Sequence, residues 1–138
     1  MRQLRDGRVS VRRGDWVVRE QIGQLIFKII DNATWQSAVS AGRFAGAPVD
    51  IEDGFIHFST ASQVAETAAK HFHHQHDLVV VAFETASFGA RLKWEPSRGG
   101  ALFPHLYDTL NPVQAVWLEP MPLDDNGLPM IPECVREC

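Results

Sequence analysis

The sequence predicts one α+β domain, in which helices come early and strands dominate the second half. Segments with helical spacing alternate with apolar, strand-like runs up to residue 72, and only strand-like runs follow them. A chain of 138 residues suits one domain with its own core. Its content of 45% hydrophobic and 22% charged residues is typical of a globular protein.

The first predicted elements are a strand followed directly by a helix. Leu25–Ile30 is rich in β-branched and aromatic residues and predicts a mostly buried strand. Asp31-Asn32 then signals a helix start, and Gly42 supplies the stop. We expect residues 43–53 to form a loop. Three residues at helical spacing share one face of this helix: Trp35, Ala38 and Val39.

A second strand and helix complete the first half, and the second half contains the remaining strands. Phe55–Phe58 predicts a short strand, and Ala61–His71 predicts an Ala-rich helix that packs closely on a sheet. The later segments predict a central strand, a half-exposed strand, a strand or turn that lines a cleft, and a last strand: Asp77–Phe83, Arg91–Glu95, Phe103–Tyr107 and Val113–Leu118.

The two ends of the chain differ from the domain predicted over residues 25–123. Residues 1–24 hold six of the thirteen basic residues, and three interpretations stay open: an ordered strand pair, a flexible extension, or translation from an upstream start. We favour a peripheral extension. Residues 124–138 are Pro-rich and predict an irregular tail, in which Cys134 and Cys138 are exposed thiols without a metal or redox role.

Composition also bounds the partners. The net charge of -4 argues against nucleic-acid binding through a broad basic face. No apolar run approaches the roughly 20 residues of a membrane span, and the basic start lacks the apolar core of a secretory signal. We therefore expect a cytoplasmic protein with a small-molecule partner. The oligomeric state stays open.

The segment Gly54–Thr60 carries the most informative pattern. His57 lies between Ile56 and Phe58, and neighbours in a strand point to opposite faces. Ser59 or Thr60 can then cap the following helix. An imidazole, a hydroxyl and a helix N-terminus close together suit an anionic or polyhydroxyl ligand. A core histidine bonded to backbone is the alternative.

A second group of candidates lies later in the chain. His105 and Tyr107 repeat the combination of a histidine with a nearby hydroxyl. Trp94 could form a pocket wall while Glu95 faces the ligand and stabilises positive charge at a ribose carbon. The alternative places Trp94 in the core and Glu95 in solvent. A local positive group would bind phosphates or be ordinary surface charge: Arg91, Lys93 and Arg98.

Four histidines at the end of the second predicted helix raise the question of a metal. A helix C-terminus favours protonated histidine, and only Asp77 stands at ligand spacing. We expect no structural metal, and weak transition-metal binding is the alternative. The four are His71, His73, His74 and His76.

Taken together, several segments resemble the small bacterial and plant family called domain of unknown function 952. The resemblance covers about residues 25–123 in the expected order. The segments that carry it are Ile26-Phe27-Lys28-Ile29, Trp35 with Ala38 and Gly42, Gly54-Phe55-Ile56-His57-Phe58-Ser59-Thr60, Trp94-Glu95, and Phe103-Pro104-His105-Leu106-Tyr107 with Leu110-Asn111.

That family is similar in fold to ADP-ribosyltransferases and RNA 2'-phosphotransferases, which hold NAD in a cleft between two small sheets. The resemblance implies a split mixed or antiparallel sheet core with two early helices. It also implies that His57 contacts the NAD ribose, with Ser59 and Thr60 at the rim. The usual catalytic Glu has no secure counterpart, since neither Glu95 nor Glu119 maps onto it.

The resulting hypothesis is a transferase-like site for NAD or an ADP-ribose-like ligand, with ADP-ribosyl or phosphoryl transfer as its chemistry. A non-catalytic binding module and a weak metal binder are the alternatives, and whether the protein is an enzyme stays open. The catalytic candidates are His57, Glu95 and His105. The ligand-binding candidates are His57, Ser59, Thr60, Trp94 and Tyr107.

Overall fold

A computed structural model of the protein describes residues 23–137, so most of the predicted N-terminal extension and Cys138 lie outside the described residues. The described chain folds into two three-stranded antiparallel sheets with few helices, which confirms the α+β class. The strands are β1 Leu25–Asp31, β2 Ile56–His57, β3 Leu78–Glu84, β4 Leu92–Pro96, β5 Leu102–Leu106 and β6 Trp117–Pro120. The α-helices are α1 Asn32–Ala41, α2 Pro48–Asp53, α3 Val64–His71 and α4 Glu133–Arg136. Short 3-10 helices span Thr85–Ser87, Gly89–Arg91, Arg98–Gly100 and Pro112–Gln114.

The larger sheet has the order β1-β3-β6 and separates two hydrophobic clusters. Because side chains alternate along a strand, Ile26 and Ile30 of β1 enter one cluster while Phe27 and Ile29 enter the other. The central strand β3 contributes to both clusters. This double burial explains its continuous apolar run, and the predicted central strand is confirmed.

The smaller sheet has the order β2-β5-β4. Its inner face packs on the first hydrophobic cluster through Ile56 and Leu106, which are directly paired. The next pair along the same two strands is His57 with His105. Alternation therefore places both histidines on the outer face, away from that cluster.

The first helix confirms its predicted boundaries. The Asp31 carboxylate accepts hydrogen bonds from the Thr34 amide and hydroxyl, which caps α1. Gly42 ends the helix with φ at 73°, the left-handed conformation that glycine adopts without strain. Of the three residues predicted to share one face, Trp35 and Ala38 are buried and Val39 is 47% exposed.

The prediction of a loop over residues 43–53 was wrong, because this segment contains α2. This helix begins with Pro48, whose fixed φ suits the first helical position, and ends before Gly54. The next helix begins at Val64, later than predicted. Gln63 lies at its N-cap position, so neither Ser59 nor Thr60 caps it.

Two differences concern the end of the chain. The last strand begins at Trp117 rather than Val113, because a 3-10 helix that starts with Pro112 occupies the earlier residues. The predicted irregular tail contains α4, whose Val135 is buried in the second hydrophobic cluster. Among residues 23–137, no helix is both long and apolar enough to cross a membrane.

Candidate functional site

His57 and His105 face each other on the outer side of the smaller sheet. They are paired in register across β2 and β5, and their ring centroids are 5.5 Å apart in an edge-on arrangement. Each ring also contacts a carboxylate, as described below. We use the name histidine cluster for these two residues and three neighbours: Phe55, His57, Glu95, His105 and Tyr107.

The His57 ring lies between two carboxylates. Its Nδ1 is 2.6 Å from Asp50 Oδ1, and its Nε2 is 3.0 Å from Asp53 Oδ2. An ionised carboxylate only accepts hydrogen bonds, so both contacts are hydrogen bonds when each ring nitrogen carries a proton. The His57 side chain remains 32% exposed, which leaves it accessible from solvent.

Asp50, which holds the inner side of this ring, is 1% exposed. Its carboxylate accepts from Lys28 Nζ at 2.8 Å, the Ala47 amide at 2.7 Å and the His57 amide at 3.1 Å, in addition to the His57 ring. Burial by itself raises the pKa of Asp50. The hydrogen bond from His57 and the Lys28 charge outweigh burial and lower this pKa to about 2.

Lys28 reaches Asp50 from the middle of β1. It lies on the strand face of Ile26 and Ile30 and is itself buried. Burial lowers the pKa of Lys28, and the Asp50 charge opposes that effect. Gly46 lets the chain pass close to this pair, since a Cβ there would lie 2.8 Å from the Asp50 Cβ.

Sequence reasoning missed Lys28, Asp50 and Asp53 as site residues. A signal existed for the first of them, because a lysine inside an apolar strand needs a buried carboxylate partner. The partner could not be identified from the pattern, since residues 43–53 contain several acids and were expected to form a loop.

The His105 side chain contacts the Glu95 carboxylate on the neighbouring strand. His105 Nδ1 and the Tyr107 hydroxyl both lie 2.8 Å from Glu95 Oε1. The hydrogen bonds from His105 and then Tyr107 lower the pKa of Glu95, so this carboxyl is ionised at neutral pH. The same contact with Glu95 raises the pKa of Tyr107.

The second nitrogen of His105 is the exception in this network. With Nδ1 donating to Glu95, Nε2 accepts in the neutral ring and donates in the protonated ring. Within the part of the chain that the structure describes, Nε2 has no hydrogen-bond partner, although His105 is only 5% exposed. A buried ring nitrogen without a partner costs free energy in either state and suits a hydrogen-bonding ligand.

Phe55 supplies the apolar surface of the cluster. Its ring stacks on His105 with centroids 4.1 Å apart and planes at 22°, and it lies 4.6 Å from the His57 ring. Tyr107 is 5.2 Å away on a third side. Phe55 lies in the segment Gly54–Thr60, but the sequence did not predict it as a site residue.

The other three predicted site residues are placed elsewhere. Trp94 pairs with Pro104, on the opposite face of β4 from Glu95. The Ser59 hydroxyl lies 3.1 Å from the Thr67 hydroxyl on α3, in a buried position. The Thr60 hydroxyl contacts Ser62, and its amide donates to Gln63. The structure therefore does not bring these three into the histidine cluster.

Two surface depressions lie outside the cluster. One of about 450 Å³ includes Arg43 and Arg91, and one of about 770 Å³ lies between α3 and the C-terminal tail. Arg91 forms an exposed ion pair with Asp108. Over residues 23–137, no group of three or more His, Cys, Asp or Glu side chains is arranged to hold a metal ion.

A match to a family model places the chain in a family. Residues 29–118 match the family model described as "Protein of unknown function (DUF952)", and the chain belongs to that family. The resemblance inferred from the sequence segments is thereby confirmed at the level of the family.

The solved structures that match are of protein CC0527 from Caulobacter crescentus. Its crystal structure is 46% identical, covers 81% of this chain and 98% of that chain, and superposes with a TM-score of 0.79. Its solution NMR structure is 48% identical over 76% of this chain and 90% of that chain, with a TM-score of 0.70. A search of curated proteins gave no match.

Proposed function

We propose that the histidine cluster binds a ligand of the NAD or ADP-ribose class. The observation that carries this proposal is the pair of imidazoles 5.5 Å apart, one between two carboxylates and one with a buried nitrogen that has no hydrogen-bond partner within residues 23–137. The similarity of the family to ADP-ribosyltransferases, inferred from the sequence segments, also supports this ligand class. The proposal includes a cytoplasmic location and a small-molecule partner.

Ribose hydroxyls match the hydrogen-bonding groups of the cluster. A hydroxyl both donates and accepts, so one sugar can donate to His105 Nε2 while it accepts from a neighbouring donor. The Tyr107 hydroxyl and the Phe55 ring add a polar group and an aromatic surface for a base or a nicotinamide ring. In this proposal Ser59, Thr60 and Trp94 do not contact the ligand.

Group transfer is the reaction class we propose for the site. Because Glu95 is ionised, it can stabilise the positive charge that develops at a ribose carbon when its bond to a leaving group breaks, as in ADP-ribosyl transfer. Phosphoryl transfer is the second candidate, and a separate observation favours it. His57 as the proton donor and His105 as the acceptor form an acid–base pair on one face.

An NMR titration with NAD and with ADP-ribose tests the proposal. We expect amide and ring shifts concentrated at Phe55, His57 and His105 in the wild-type protein. H57Q and H105Q should weaken binding at least tenfold, whereas H76Q, which changes an exposed histidine outside the cluster, should leave it unchanged. Absence of shifts at millimolar ligand, or shifts away from the cluster, would overturn the proposal.

The same samples separate an enzyme from a binding module. Release of nicotinamide from NAD in the wild-type protein, lost in E95Q, would establish transfer or hydrolysis at the ribose carbon. Binding without release of nicotinamide or of phosphate would identify a non-catalytic module that uses the same residues.

A further inference from the structure

We infer that the Asp53 carboxylate occupies the position at which an anionic group of the ligand binds, and that the ligand displaces it from His57. The inference deepens the proposed function and rests on it, because it takes the exposed side of His57 as the ligand side. It assigns a phosphate or carboxylate oxygen of the ligand to His57 Nε2.

The two carboxylates on His57 differ in how firmly they are held. Asp50 is buried and accepts from Lys28, from two backbone amides and from the His57 ring. Asp53 is 44% exposed, and within residues 23–137 its side chain hydrogen-bonds only to His57 Nε2. An exposed ion pair contributes little because water replaces either partner easily, so Asp53 can leave while Asp50 remains.

The charges around His57 show what remains after Asp53 has left. Lys28 and His57 share the single negative charge of Asp50, so with the His57 ring protonated Asp53 supplies the second negative charge. Across the sheet, Glu95 is ionised and Lys93 lies opposite His105. Displacement of Asp53 therefore leaves one positive charge and one N–H donor, directed at a position 3.0 Å away that a carboxylate oxygen already fits.

The position of Asp53 in the fold allows an anion to replace its carboxylate. Asp53 is the last residue of α2, directly before Gly54, whose φ of 89° lets the chain turn toward β2. The exposed Asp53 side chain can rotate into solvent without moving a buried group. The binding of an anion at this position does not require any rearrangement of the sheet.

The test is anion binding by the full chain with and without the Asp53 carboxylate. D53N and D53A are titrated with inorganic phosphate and with ADP-ribose, and His57 ring and amide resonances are followed by NMR. We expect about two- to fivefold tighter binding of both probes than in the wild type, the gain from removing an exposed competing partner. The control is E52Q, which removes the same charge from an adjacent exposed residue and should bind like the wild type.

The outcomes distinguish failure of the inference about Asp53 from failure of the proposed ligand class. Equal gains in D53N and E52Q, or weaker binding in D53N and D53A, would overturn the inference. ADP-ribose shifts at the cluster with unchanged affinity in D53N would overturn it while the proposed function stands. Tighter phosphate binding in D53N without any ADP-ribose binding would support the inference and overturn the proposed ligand class. No binding of either probe to any variant would overturn both.

Discussion

Replacement of Asp50 by Asn should be among the most destabilising single changes in the described chain. D50N keeps the shape of the side chain but removes the charge that Lys28 requires. Lys28 would then remain buried with its charge unpaired, and two backbone amides and the His57 ring would lose a charged acceptor. Breaking a buried ion pair on one side costs about 3–5 kcal/mol of unfolding free energy.

The pH dependence of stability gives a second estimate of what the Asp50 charge contributes. The pKa of Asp50 falls from 3.8 to about 2 on folding, which contributes about 2 kcal/mol of stability at pH values above about 4. Because the folded pKa is lowered, this contribution is present above the unfolded value and is lost as the pH falls from about 4 through 2. The stability difference between wild type and D50N should therefore narrow below pH 4.

Urea unfolding of wild type, D50N and E52Q, at pH values from 2.5 to 7, measures both effects. E52Q removes an exposed charge from the same helix and should stay within about 0.5 kcal/mol of the wild type. The double variant K28M/D50N removes both charges and should be more stable than D50N alone. A cost below 1 kcal/mol for D50N, or a difference that does not narrow at low pH, would refute the reasoning.

Two further predictions concern the other carboxylate pair and the tail. Y107F removes the Tyr107 hydroxyl, one of the two side-chain donors to Glu95, so the pKa of Glu95 should rise while remaining below its ordinary value. A carbon-13 NMR titration of the Glu95 carboxyl measures this pKa. An unchanged or lower pKa would contradict the contact between Tyr107 and Glu95. V135A should cost about 2 kcal/mol in urea unfolding, because Val135 is fully buried in the second cluster. V113A, at a residue 81% exposed, is its control and should change stability by less than about 0.5 kcal/mol. Equal effects of the two valine changes would show that the tail does not contribute to the core.

The elements that the sequence predicted best are those in which local signals and tertiary packing agree. β1 and β3 are continuous apolar runs, and both of their faces are buried between the two clusters. The start of α1 carries a capping aspartate and its end carries a glycine, so both boundaries follow from side-chain chemistry. Short elements lack such redundancy. α2 has six residues and only one that is buried, and that one is a charged aspartate.

The residues of the site were predictable only where a local sequence signal marks them. His57 and His105 could be singled out because each interrupts an apolar strand, but their pairing depends on a register that connects distant parts of the chain. Trp94 and Glu95 were expected to face one ligand, although adjacent strand residues point to opposite faces. Lys28 and Asp50 are 22 residues apart, and a loop of unknown course separated them in the sequence pattern.

The Lys28–Asp50 pair is explained better by what it positions than by what it stabilises. Burying two charges costs desolvation free energy, and apolar residues of similar volume often serve a core as well or better. An apolar pair could not orient His57, since Asp50 Oδ1 accepts from both the ring and the amide of that residue. Lys28 belongs to the larger sheet and His57 to the smaller one. The pair therefore fixes the imidazole of one sheet against the central core of the other, and it leaves the Nε2 side of the ring directed toward solvent, where Asp53 now lies.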